Sequence, residues 1–221
     1  MPIISISDPS LSISNDCNLA WYAGNKDINH LPETIAYILD SISERLNTKL
    51  IVFGGSGGGF ATLSITKLMS CKHSSLVWNP QTSITEYNKR FVSIYIRDCL
   101  DDPNENTDMY SLLDQKNIIH DLTKEYSKKY PLEQNNILYL QNLDDRFHIE
   151  NHLKPFMNGL DIEECGKGVY KSTNGIVFWI DDWGSGHSPP SMDILIKILD
   201  GIIYMRSNLD IVSELLAHND L

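Results

Sequence analysis

The stretch 50–63, LIVFGGSGGGFATL, limits what this chain can fold into more than any other. Leu50-Ile51-Val52-Phe53 is a short apolar run that reads as a buried strand. It stops at Gly54-Gly55-Ser56-Gly57-Gly58-Gly59, and an apolar, helix-compatible segment follows at once. Gly-x-Ser-x-Gly between a strand and a helix is the context that holds a serine on a sharp, strained turn with its hydroxyl pointing out of the sheet. Neighbouring residues must be small because strand and helix nearly touch there. Gly54 and Gly58 supply that room, and Gly57 and Gly59 add to it. The following helix N-terminus faces Ser56 with free N–H groups. Glycine-rich turns of this kind also bind phosphates. No Lys follows the glycines, however, so the P-loop pattern fails, and G-x-G-x-x-G fits only loosely. Whether an acid and a histidine follow in the right order decides between the two.

A chain of 221 residues with 42% hydrophobic and 21% charged residues suits one globular α/β domain with a sizeable core. Its formal net charge of -11 disfavours non-specific binding to nucleic acid phosphates, so no nucleic acid partner is expected. No stretch approaches the length of a membrane span, and Met1-Pro2-Ile3-Ile4-Ser5 shows no basic region followed by an apolar core. A cytoplasmic location is expected. Cys17, Cys71, Cys99 and Cys165 are widely spread, with no zinc-ligand spacing. No metal is expected, and none of the four is an obvious nucleophile.

Residues 3–6 alternate apolar residues with Ser and predict a strand, as does Leu19-Ala20-Trp21-Tyr22-Ala23. The spacing of Ile35, Ile38, Leu39, Ile42 and Leu46 predicts a helix over 32–46. A helix over 60–70 follows the Gly-rich turn, and a strand over 75–78 ends at Asn79-Pro80. This strand–helix rhythm is that of a parallel sheet covered on both faces. Reactive residues in such sheets gather at the carboxyl ends of the strands. Residues 81–135 break the rhythm, with helices expected over 84–96 and 112–126. An insertion of this length is either a cap over the reacting end of the sheet or plain helical packing on the outside. A strand over 136–140, a helix over 149–157, a polar stretch 159–174 with room for an edge strand or hairpin, a strand over 176–180, and helices over 192–204 and 211–217 complete the chain. The expectation is a three-layer α/β fold, a mostly parallel sheet of about six strands, in one domain spanning 1–221.

A serine hydroxyl is a poor nucleophile at neutral pH. It needs a base within hydrogen-bond reach and a third group to orient that base. On this kind of turn the chain order is Ser, then Asp or Glu, then His. Here Ser56 is followed by Asp144-Asp145 after the next long strand and by His187 after the last one. Asp145 is favoured as the acid, with Asp144 as the fallback. His187 sits among glycines that let its loop reach the nucleophile; its main rival is His148, beside the acid's own loop. An oxyanion hole needs two N–H groups. Gly57 supplies one, and Ala23, Gly24 or Asn25 is placed at the second, with Tyr22 and Asn25 expected to touch substrate. Asn79-Pro80-Gln81-Thr82 would rim the pocket, where Gln81 or Thr82 would bond substrate. Trp183 lies near the same strand ends, where aromatic faces stack on sugars or acyl chains.

These motifs make the chain resemble α/β-hydrolase-fold proteins from its first strand to His187. More narrowly, Trp21-Tyr22-Ala23-Gly24, the Gly-rich turn with Phe60, Asn79-Pro80-Gln81-Thr82, the 142–148 turn and Gly186-His187-Ser188 are similar to small serine-dependent proteins of bacterial surface-polysaccharide gene clusters. Capsule O-acetyltransferases and accessory-secretion acyltransferases use the same fold. The resemblance implies a serine esterase acting on a small or carbohydrate-linked ester, with a polysaccharide O-acetyltransferase or a non-catalytic binding protein as alternatives. It implies no cofactor beyond an acyl donor such as acetyl-CoA if the reaction is transfer. The full fold carries about eight strands; this chain has room for about six, which bears on the second oxyanion donor.

Overall fold

The computed structural model describes residues 2–104, 106, 108–127 and 135–219. Six strands form one sheet in the order β1-β2-β3-β6-β5-β4: β1 Leu50–Gly55, β2 His73–Trp78, β3 Asn135–Asn142, β6 Ile176–Asp181, β5 Val169–Ser172 and β4 Ile162–Gly166. The first four are mutually parallel, and β4–β5 is an antiparallel hairpin added to β6. The register stacks side chains in rows across the sheet. Val77, Tyr139 and Phe178 face one side, while Leu76, Leu138 and Val177 face the other. Strands buried on both faces read as continuous apolar runs, which is why β2, β3 and β6 were visible in sequence.

On the first face, helix α2 (Gly57–Leu68) lies between the sheet and α1 (Leu31–Leu46), where Leu31, Ile35 and Leu39 meet Ala61, Ile65 and Met69. Beside α2 lie α3 (Lys89–Ile94) with a π turn through Tyr95–Cys99, α4 (Met109–Gln115) and α5 (Leu122–Ser127). Next comes a helical run made of α6 (Arg146–His148), a π turn Ile149–Leu153 and α7 (Lys154–Asn158). Val92, Tyr95, Leu113, Leu122, Tyr126 and Phe156 are buried in one cluster with Tyr139 and Phe178. Ile84, Val92, Tyr95, Leu113, Leu122 and Tyr126 therefore build core on this face. The expected insertion 81–135 also includes residues 105, 107 and 128–134, which lie outside the described residues. The second face is covered by α8 (Met192–Ile203) and α9 (Asn208–Asn219), through Leu195, Ile198, Ile202, Ile211 and Val212. Among the described residues no helix is long and apolar enough to cross a membrane.

The strand count matches expectation, but two of the strands are different ones. Residues 3–6 form no strand, and Ile3 is 73% exposed; alternation alone does not make a strand. Trp21 and Tyr22 both have φ 55, so 19–23 is a turn instead of a strand. The turn is fixed by Ala23 N–H donating to the Ala20 carbonyl (3.0 Å) and Tyr22 N–H to the Asp8 carboxylate (2.6 Å). The polar stretch 159–174 supplies β4 and β5 in their place. The helix expected over 84–96 starts only at Lys89, because Ile84 N–H is engaged by the His120 carbonyl (2.8 Å) and Ser83 bridges to Asp121. That same bridge divides the expected 112–126 helix into α4 and α5.

Candidate active site

Because β1, β2, β3 and β6 are parallel, Ser56, Asn79, Asp145 and the 182–187 loop all follow carboxyl ends and lie along one edge of the sheet. Ser56 joins β1 to α2 at φ 53, ψ -122, a conformation that costs a non-glycine residue on the order of 1–3 kcal/mol. Its N–H donates to the Trp78 carbonyl (3.0 Å), and its own carbonyl accepts from Gly59 and Phe60, closing the first turn of α2. The glycines are not equivalent. A Cβ at Gly54 would stand 2.5 Å from the Gly58 carbonyl oxygen, and one at Gly59 would stand 2.6 Å from Pro80 Cβ. One at Gly58 would meet nothing within 4 Å. The close approach is thus of residue 54 to the backbone of residue 58, and Gly58 needs no room of its own.

Asp145 caps α6 and is buried. Of the two aspartates in the turn, it is the one that meets His187. The His187 Nδ1 is hydrogen-bonded to Oδ2 of Asp145, while Asp144 Oδ2 accepts from the Gly186 N–H (2.8 Å). A second imidazole shares the carboxylate: His148 Nδ1 (3.0 Å) and its backbone N–H (3.2 Å) both reach Oδ1. The rings of His148 and His187 stack with centroids 4.1 Å apart. Burial alone would raise the Asp145 carboxyl, but the hydrogen bonds from His187 and His148 outweigh it and hold the group below the ordinary carboxylate value. An ionised carboxylate only accepts, so each Nδ1 is the donor to it. Asp145, His148 and His187 place ligand-type atoms within 4.8 Å of one another; here those atoms make hydrogen bonds. The two imidazoles differ in access. The His187 side chain is 43% exposed, whereas His148 is buried with Nε2 enclosed. The acid thus holds both His187 and its rival His148. The Asp-x-x-His spacing at a helix start, with Asp as N-cap and His at N3, was the signal.

The His187 loop is braced from two strand ends. Asn142 Nδ2 donates to the Gly184 (2.7 Å) and Gly186 (2.6 Å) carbonyls, and its Oδ1 accepts from Trp183 N–H (2.9 Å). Asn79, at φ 42, donates from Nδ2 to the Ser188 carbonyl (2.8 Å) and accepts the Asn142 N–H (2.7 Å). Sequence reading gave Asn142 no part; a buried polar residue ending an apolar strand was the available sign.

Next to Ser56 stands Gln81, fully buried. Its Nε2 donates to the Ser56 Oγ (3.1 Å), its N–H donates to the Ser56 carbonyl (3.2 Å), and its Oε1 accepts from the Trp21 indole. Other residues expected around the pocket are engaged elsewhere. Thr82 is buried, with Oγ1 on the His152 carbonyl (2.9 Å). The Tyr22 hydroxyl donates to the Ile6 carbonyl (2.7 Å). Asn25 is buried, bonding Ser10 through Nδ2 (3.1 Å) and the 27–28 backbone through Oδ1. The amides of Ala23 and Asn25, expected near the oxyanion, donate to Ala20 and Ile28 carbonyls. Ala23 and Asn25 line a small cavity with Ile28, His30, Pro32 and Lys116, separate from Ser56. The Gly24 carbonyl accepts from Ser10 (3.2 Å) and Tyr95 (3.0 Å). Trp183 packs edge-on against Trp179, with centroids 5.6 Å apart, toward the α8–α9 face. Gly57 opens α2 directly after Ser56, three residues before the start expected for that helix.

No protein-family model matches the chain, and no curated protein matches its sequence. Among solved structures it is similar to the capsule O-acetyltransferase of Neisseria meningitidis serogroup A, at 18% identity and a TM-score of 0.49, over 76% of this chain and 61% of that one. It is similar at the same identity and TM-score to a histidine-to-alanine mutant of that protein in complex with CoA, over 76% of this chain and 62% of that one. The chain spans about three-fifths of the length of these structures.

Proposed function

We propose that this chain is a serine-dependent acyl-transfer enzyme. Ser56 Oγ attacks an acyl carbonyl, and its proton passes to Nε2 of His187. The leaving alcohol or thiol takes that proton as the tetrahedral intermediate collapses to a Ser56 ester. A second oxygen nucleophile then gives its proton to His187, attacks the ester and releases Ser56. Asp145 holds the Nδ1–H tautomer of His187 and offsets the positive charge the ring acquires. Gly57, at the N-terminus of α2, offers its N–H to the developing oxyanion. The observation that carries the reading is the imidazole of His187 tied to a buried Asp145 on the same sheet edge as a strained Ser56.

The acceptor decides the name of the reaction. Water makes the protein an esterase; a sugar hydroxyl makes it an O-acyltransferase, with acetyl-CoA as the donor to try and a carbohydrate as the partner. The first half-reaction is common to both. The test is turnover of p-nitrophenyl acetate by wild type and S56A, then acetyl-CoA consumption with and without a polysaccharide acceptor. S56A is expected to lose at least about 10³-fold in rate. Consumption of acetyl-CoA only with acceptor present assigns transfer. Equal turnover by wild type and S56A contradicts the nucleophile, and wild-type turnover no faster than the uncatalysed rate leaves a binding protein on a hydrolase-like scaffold.

A further inference from the structure

Acyl transfer needs two donors at the oxyanion, and three of the four backbone N–H groups of the 22–25 loop, all but that of Gly24, are engaged within that region. The N–H groups of Tyr22, Ala23 and Asn25 go to Asp8, Ala20 and Ile28. We infer that the side-chain amide of Gln81 is the second oxyanion donor, aimed by the indole of Trp21. The inference rests on Ser56 being the nucleophile, as proposed above.

The orientation of the amide follows from chemistry. An indole N–H can only donate, so the atom of Gln81 it meets must be the carbonyl oxygen. That turns the NH₂ group of Gln81 toward Ser56, where Nε2 lies 3.1 Å from Oγ. The amide cannot flip without setting donor against donor. Both side chains are buried, Gln81 at 0% and Trp21 at 1% exposure. Trp21 is further fixed by edge-on contacts with Tyr87 (6.1 Å) and Tyr95 (5.6 Å). Gln81 is tied to the nucleophile a second time, through its backbone N–H on the Ser56 carbonyl. A Cβ built on Gly57 would lie 3.9 Å from Gln81 Oε1, so the start of α2 and the amide are close neighbours around Ser56.

In the resting site the amide N–H rests on Oγ. When Oγ bonds to the acyl carbon, negative charge develops on the carbonyl oxygen attached to that same carbon. Nε2 has two N–H bonds and a fixed position beside that point. Its hydrogen bond to a neutral hydroxyl is exchanged for a charge-assisted one to an oxyanion, so it gains strength in the transition state. The consecutive left-handed residues Trp21 and Tyr22 then serve to bring an indole to the site from a loop whose backbone is used elsewhere.

The test uses the full chain, with wild type, Q81A, Q81E and W21F. Each is assayed for fluorophosphonate labelling of Ser56, for acylation rate and KM with p-nitrophenyl acetate, and for thermal melting. Wild type is expected to label. Q81A and Q81E are expected to lose about 10²–10³-fold in acylation rate, with KM nearly unchanged. W21F keeps the ring contacts and loses only the N–H; a loss of about tenfold in kcat at constant KM is expected, because the amide is then free to turn. W21F also carries the test if the Gln81 variants do not fold. A labelled wild type with Q81A and Q81E at the wild-type acylation rate overturns Gln81 while leaving Ser56 in place, as does W21F with unchanged kcat. A wild type that does not label at Ser56 overturns the nucleophile, and this inference with it.

Discussion

Asp145 holds two imidazoles on one carboxylate, and the two have different surroundings. His187 is open to the site edge and His148 is enclosed. Burial, reinforced by the neighbouring His187, pushes the His148 imidazole below its usual value, against the pull of Asp145. A neutral ring stacked on His187 gives it a face to pack on without competing for its charge. D145N places an amide where two N–H donors converge, and kcat is expected to fall about 10⁴-fold. D144N keeps an acceptor oxygen for the Gly186 N–H, and its kcat is expected to fall by no more than about tenfold. Steady-state kinetics on both variants checks this, and equal losses would contradict the assignment of the acid.

At the scale of elements, the β1–α2 turn is held by close approaches, among them Gly54 to the Gly58 backbone and Gly59 to Pro80. G54A would drive a Cβ onto the Gly58 carbonyl and is expected to cost about 1–3 kcal/mol of stability. G58A meets open space inside a helix and is expected to gain about 0.5–1 kcal/mol. Denaturant unfolding of the two variants separates them, and similar losses in both would contradict this geometry. The turn was readable in sequence because β1 and α2 are both apolar and abut with only glycines and a serine between them. That Ser56, Asp145 and His187 come to one edge of the sheet was readable because each follows a parallel strand, although β1 is only half-buried, with Phe53 42% exposed, and is not the buried strand its apolar run suggested. What was not readable lies where contacts between distant segments override local pattern. Residues 3–6 alternate like a strand but pair with no strand among the described residues. Ser83 pairs with Asp121 and splits two helical patterns. The β4–β5 hairpin is mostly exposed and polar, so it lacks an apolar signature. The part played by Trp21 and Gln81 is carried by side chains 60 positions apart, and spacing gives no sign of it.

At the scale of the molecule, the three layers enclose basic groups as well as apolar ones. His73, His148 and His152 are buried, and burial holds each below its ordinary 6.5, His152 down to about 3. In the unfolded chain all three protonate near pH 6.5, so below that pH the unfolded state binds more protons than the folded one. Their contribution is fully present above pH 6.5 and is lost as pH falls toward 3. For His152 alone the loss by pH 5 is about 2 kcal/mol. H152N keeps an acceptor for the Thr82 N–H that His152 Nδ1 now accepts (3.3 Å). It is expected to flatten the decline in stability between pH 6.5 and 5. Urea unfolding at pH 7, 6 and 5 checks this, and the same decline in wild type and H152N would contradict it.

The account turns on whether the hydroxyl at Ser56 becomes acylated. Peptide mapping by mass spectrometry after brief acid quench of a p-nitrophenyl acetate reaction measures that directly. The account predicts an acetyl group on the peptide containing Ser56 in wild type, absent in S56A and strongly reduced in D145N. An unmodified Ser56 peptide alongside full turnover, or an acetyl group that persists elsewhere when Ser56 is replaced, would contradict it.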